Sequence, residues 1–247
     1  MTDNNCLNCG HPVSGNYCGH CGQKASTHRF TLKHVFTHDL IHGALHLDKG
    51  FPYTAMQLIK RPGYAVREYI EGKRANYFNA ITFLLLFVAL DLFVETTTNF
   101  HVTDIAGVPD ANNILDQIDH IRLKYKKEIY LVTIPLYSLI TYTVFYKAKL
   151  NYAEHLVLHT YKEGGTLMIS IIGFAIIPFI ADVNGKRAVF VIVGLIANIW
   201  TVWFLWQAFK KDYSQKWLLV LTIIGFYILS MTVMVLLGYA LKWSFGL

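Results

Sequence analysis

Charged side chains are scarce in this chain: Lys, Arg, Asp and Glu make up 15% of its 247 residues. A soluble globular domain carries about 25%. That shortage disfavours an ordinary soluble enzyme. Export chemistry is also lacking. Met1–Asn5 has neither a basic segment nor an apolar core, and no apolar run of signal length follows before residue 80. The N-terminus is therefore expected to stay in the cytosol. Cysteine is absent after residue 21. For the four that precede it, a reducing compartment favours metal thiolates over disulfides. Catalytic signatures are missing too: there is no Gly-rich phosphate loop, HExxH pair, nucleophile elbow or recognisable Ser/His pair. No enzyme class is indicated.

What the chain does have is apolar surface. Hydrophobic residues make up 54%, aromatics 15%, and the mean hydropathy is +0.36. Disorder is excluded, because disordered chains are poor in such residues. The apolar residues gather in five runs, Ala80–Val94, Ile129–Tyr146, Thr166–Ala181, Ala188–Phe209 and Trp217–Leu241. A transmembrane helix needs about 20 such residues. The last two runs meet that outright. The first and third are short and need flanking residues, such as Tyr77 and Phe78 or the stretch before Gly164. Helices rather than a barrel are implied, since strict alternation is absent. The expected fold is an all-α integral membrane protein with about five transmembrane helices (residues 80–247) and an external loop at 97–128. A small cytosolic zinc ribbon (1–23) and amphipathic, juxtamembrane helices (24–79) precede the spans.

With the N-terminus inside, 15 of the 22 Lys and Arg fall on cytosolic segments and seven outside. The positive-inside bias then predicts an internal N-terminus and an external C-terminus in a plasma membrane. The basic cluster Arg122, Lys124, Lys126 and Lys127 runs against it.

The strongest chemical signal is Cys6-x-x-Cys9 followed by Cys18-x-x-Cys21. Each CxxC turn offers two thiolates from one tight loop, and Gly10, Gly19 and Gly22 let backbone amides approach the sulfurs. Four thiolates complete a tetrahedral structural zinc site. A segment this short has no core, so the ion must supply its folding energy, about 10–16 kcal/mol. Metal-free thiols, a redox CxxC and a rubredoxin-type iron are the competing readings; no thioredoxin-like unit follows. His11 and His20 could replace a thiolate. No Lys or Arg lies between Cys6 and Cys21, so the phosphate-neutralising charge of a nucleic-acid ribbon is missing. A structural or protein-binding role fits better.

The run CLNCG…YCGHCGQ, then LDKGFPYTAMQLIKRPGYAVREYIEGKRANYF, then apolar spans, resembles a bacterial family of zinc-ribbon membrane proteins, domain of unknown function 3667. The resemblance covers about the first third of the chain well and the spans loosely. It implies a bacterial inner-membrane protein with an N-terminal ribbon, and no established activity.

Three further segments invite a site. His34, His38, His42 and His46 recur every four residues. They form the polar arc of an amphipathic interfacial helix, with a second metal site or a pH-responsive face as the alternative. Lys60, Arg61, Arg67, Lys73 and Arg74, interleaved with tyrosines, suggest contact with anionic lipid headgroups. Asn151–Gly165 places His155, His159 and Glu163 on one helical stripe beside a Gly164-Gly165 hinge. The segment reads as an interfacial helix. With Asp91, an ionisable residue inside a span, the three could also hold a metal ion or relay protons. Two functions lead as expectations, ahead of a third, an unrecognised membrane enzyme. The first is a non-enzymatic membrane protein whose ribbon recruits or scaffolds a partner protein. The second is a transporter or metal/proton-handling protein.

Overall fold

A computed structural model describes residues 5–32, 50–98 and 124–245. The histidine series 34–46 and residues 99–123 of the expected external loop lie outside these. The described residues form seven α-helices: α1 Gly50–Lys60, α2 Pro62–Ile70, α3 Ala80–Thr98, α4 Lys126–Val144, α5 Tyr152–Phe174, α6 Val183–Phe209 and α7 Lys216–Phe245. Among the described residues the only β-type pairing is two isolated bridges in the cysteine segment.

Helix starts follow local chemistry. Asn79 Oδ1 accepts from the amides of Ile81 and Thr82. Asn151 and Glu154 form a reciprocal capping box at α5, and Asp182 accepts from Gly185 N at α6. Each satisfies amides that have no intrahelical partner. A break at Arg61, with Pro62 at the first position of the next helix, separates α1 from α2.

Four helices are long and apolar enough to cross a membrane: Ala80–Thr98, Tyr152–Phe179, Val183–Asp212 and Lys216–Leu237. The first and third runs, short in sequence, both reach spanning length. The second falls short, leaving a shorter apolar helix, Glu128–Val144. The helix runs unbroken through Pro135, and its charged start at Lys126–Glu128 accounts for the difference. The segments of 28 and 30 residues would be about 42 and 45 Å long, against about 30 Å of hydrocarbon. The excess on α5 is its polar first half, Glu154–Glu163.

That half is not a separate interfacial helix, and Gly164-Gly165 is not a hinge. Helix α5 runs unbroken through both glycines. A Cβ at Gly164 would lie 2.7 Å from Phe83, and one at Gly165 2.4 Å from the Trp200 ring. These glycines admit aromatic rings from α3 and α6. Gly165→Val is therefore expected to destabilise the bundle by about 1–3 kcal/mol, read as a lowered thermal midpoint in detergent. An unchanged midpoint would contradict this packing.

The α1–α2 pair packs into the bundle. Trp200 Nε1 donates to Leu58 O at 3.2 Å, and Gly63 N donates to Gln207 Oε1 at 3.2 Å. A Cβ on Gly63 would lie 2.2 Å from Phe204 O, so α2 crosses α6 backbone to backbone. Phe83, Phe145, Tyr161, Phe204 and Phe209 fill the centre, with Phe145 stacked on Phe209 at 4.0 Å.

Candidate metal centre

The N-terminal segment has almost no core of its own. Cys6, Val13 and Cys18 are its buried apolar side chains in contact, with Cys9 and Cys21 packed against them. Its shape comes from a twice-repeated backbone pattern. Cys6 N donates to His11 O and Gly10 N to Cys6 O, both at 2.8 Å; Cys18 N donates to Gln23 O and Gly22 N to Cys18 O, also at 2.8 Å. Each knuckle closes on a left-handed glycine, Gly10 at φ +75° and Gly22 at φ +74°. A side chain there would be strained.

The two knuckles bring the four sulfurs together. Cys6 Sγ lies 3.5 Å from Cys21 Sγ, and Cys9 Sγ 3.6 Å from Cys18 Sγ. All four lie within 4.8 Å of one another. A tetrahedral thiolate-bound ion with bonds of about 2.3 Å needs sulfurs about 3.8 Å apart. The donor set therefore fits a metal ion. Backbone amides prepare it: those of Cys21 and His20 pull the Cys18 thiol down to about 6. The amide of Gln23 lowers the Cys21 thiol. These two thiols ionise readily; at Cys9 the His11 amide works against burial and the three neighbouring thiols, which push it up to about 12, so that ligand calls for the ion itself.

The module is docked against the helices. Gln23, which follows the second knuckle, is buried. Its Nε2 donates to Gly72 O at 2.8 Å, and its Oε1 accepts from Arg74 N at 2.8 Å and Ala75 N at 3.1 Å. Gly72 takes φ +108°, and Leu7 lies against it where a Cβ would stand. Arg29 reaches Glu154 through two bonds, at 2.6 and 2.8 Å, and donates to Lys149 O at 2.7 Å. Phe30 is buried in the bundle core, and its carbonyl accepts from Asn151 Nδ2 at 2.9 Å. Sequence reasoning passed over Gln23, Arg29 and Phe30. The one available signal was polar and aromatic residues directly after a coreless module.

The other candidates are placed differently. His155 and His159 are fully buried, and both meet Thr141 Oγ1, at 2.9 and 3.1 Å. Glu163 pairs with Lys162 at 2.5 Å. Asp91 and Glu95 hold Lys126, all three buried. The four residues are not gathered into one site. Among the described residues, the ligand clusters of three or more are the four cysteines and the trio Cys9, His11 and His20.

Several of the bases expected at lipid headgroups are engaged within the protein. Arg67 is buried, 3.1 Å from Asp212 and 3.4 Å from Glu71. Arg61 makes two 2.9 Å bonds to Glu68. Arg74 lies 3.6 Å over the Phe30 ring and donates to Tyr69 O and His28 O. Lys73 is 3.8 Å from Glu68 and half-exposed. Lys60 is exposed. Counting bases alone missed the interleaved Glu68 and Glu71 and the distant Asp212.

Residues 48–91 match the family model described as Protein of unknown function (DUF3667), the family that the sequence resembles. The matched segment runs through the α1–α2 pair to Asp91 of α3. No curated protein and no solved structure matches the chain.

Proposed function

We propose that this is a non-enzymatic, multi-pass inner-membrane protein whose N-terminal ribbon holds one structural zinc ion and serves as a cytosolic platform for a partner protein. Cys6, Cys9, Cys18 and Cys21 hold the ion, which cross-links two knuckles that have no core. The observation that carries this reading is the docking of the ribbon through Gln23 and Arg29. It fixes one face to the bundle and leaves the other to solvent. The absence of Lys and Arg between Cys6 and Cys21 suits a protein partner rather than nucleic acid. Affinity capture from native membranes tests the platform. Intact protein should retain specific partners that a ribbon-deleted version loses; identical partner sets would contradict it.

In this reading α4 supplies a fifth span, with the N-terminus in the cytosol and the C-terminus outside. Reporter fusions after Lys211 should behave as cytosolic and those after Leu247 as exported. Reversal at both positions would overturn the orientation, and an internal C-terminus alone would reduce the spans to four.

A second reading, proton or metal transport through His155, His159, Glu163 and Asp91, draws on one observation. His159 Nδ1 is buried without a hydrogen-bond partner, a state that calls for an explanation in any native structure. Aromatic packing favours the first reading: Tyr137, Phe209 and Phe226 flank the two imidazoles. Replacing His155 and His159 together by Gln separates them. Transport requires loss of ion-linked activity, whereas the platform function should survive.

A further inference from the structure

We propose that His11, His20 and Cys9 form a second, solvent-facing transition-metal position that shares the Cys9 sulfur with the four-cysteine site. The proposal rests on the reading that the four cysteines hold an ion.

The folding of the two knuckles creates the arrangement. His20 lies between Cys18 and Cys21, and His11 lies two residues beyond Cys9. Closing the knuckles on one another stacks the two rings, with centroids 4.0 Å apart and planes 6° from parallel. One ligand atom from each ring and the Cys9 sulfur lie within 4.8 Å of one another. Both imidazoles are exposed, and Cys9 is only partly buried, unlike Cys6 and Cys18. The trio therefore faces outward from the first site. Each ring binds an ion through a lone pair in its own plane, so two stacked rings must turn to share one. Little holds them back: the protein contact of His11 Nδ1 is a 3.4 Å approach to Cys9 O, long for a hydrogen bond. Tetrahedral N and S donors stand about 3.3–3.8 Å apart. The required closure is at most about 1–1.5 Å, within reach of two exposed side chains.

Charge supplies the second argument. Four thiolates around one divalent ion leave a net charge of −2. No Lys or Arg between Cys6 and Cys21 offsets it. A cation beside Cys9 relieves that excess, and a metal-bound thiolate keeps lone pairs with which to bridge. Imidazole with thiolate selects borderline and soft ions, such as zinc, cobalt, nickel or copper, over magnesium and calcium. Three protein ligands leave a fourth position for water. This is the pattern of an exchangeable ion rather than a structural one.

The test uses full-length, tag-free protein in detergent and its His11→Gln/His20→Gln variant. Both substitutions lie on the exposed face, so the fold should persist. Each protein is dialysed against rising free cadmium, and its bound metal is counted. Wild type should bind one more equivalent than the variant, because ions held by other histidines are common to both. Cadmium NMR of the wild type should show a sulfur-only resonance coupled through Cys9 to a second resonance, which the variant lacks. Equal stoichiometry in the two proteins, or two uncoupled resonances, would overturn the proposal. Loss of the sulfur-only resonance itself would instead sink the four-thiolate reading, and this inference with it.

Discussion

Replacing Cys18 by Ser is expected to remove the structural ion, lowering tightly held metal from one per chain to none. The same change should free residues 5–30 from the bundle. The buried apolar cluster of the ribbon comprises little more than its cysteines and Val13, far too small to fold the segment. The ion's contribution, about 10–16 kcal/mol for structural zinc, exceeds anything the remaining contacts offer. Metal analysis of purified protein and limited proteolysis check both parts. The variant should be cut between Cys6 and Phe30 while the helices survive. A metal-free wild type that resists cleavage there would contradict the expectation.

The second large effect is expected at Lys126. Asp91 and Glu95 stand one turn apart on α3, and both reach the Lys126 ammonium at the start of α4. All three are buried, at 2%, 4% and 6% exposure. Lys126→Met leaves two carboxylates without their shared cation. Breaking a buried pair in this way costs about 3–5 kcal/mol. For a chain of this size the loss lowers the thermal midpoint by on the order of 10 °C. Asp91→Asn should cost less, because the 2.6 Å bond between Lys126 and Glu95 remains. Equal midpoints for the two variants would show that the lysine is not what holds α3 to α4.

The same triad shows why some features were legible in the sequence and others were not. Asp91 stands out as an acid within an apolar run, which marks it as unusual. Its partner lies 35 positions away, beyond a polar segment, in a basic cluster that looked like a fault in the charge distribution. Helix existence was readable from apolar runs, since in lipid the backbone has few alternatives. Helix limits were not. Polar residues 152–163 read as a separate surface helix, because nothing local announces that α3, α4 and α6 cover them. Gly164-Gly165 has the composition of a hinge and the role of a close-packing site. Only the partners Phe83 and Trp200 distinguish the two.

The four-cysteine cluster was the most readable feature, for a physical reason. CxxC spacing, with Gly10 and Gly22 supplying left-handed turns, fixes ligand geometry within the 16 residues from Cys6 to Cys21. The docking of that cluster depended on contacts of long range. Arg29 meets Glu154 across 125 positions, and Gln23 meets Gly72 across 49. No local pattern encodes either. Arg67 was misread for the same reason. Arg67 looked solvent-seeking until Asp212 came to stand beside it.

The central claim is that the metal-held ribbon clamps one end of the helical bundle. Hydrogen–deuterium exchange of the full-length protein in detergent, before and after metal removal by a chelator, tests it most directly. Stripping the ion should speed exchange in residues 5–30 and, at the same time, in the docking segments 70–76 and 148–154, while the centres of α6 and α7 stay protected. Faster exchange confined to residues 5–30, with 70–76 and 148–154 unchanged, would contradict the clamp.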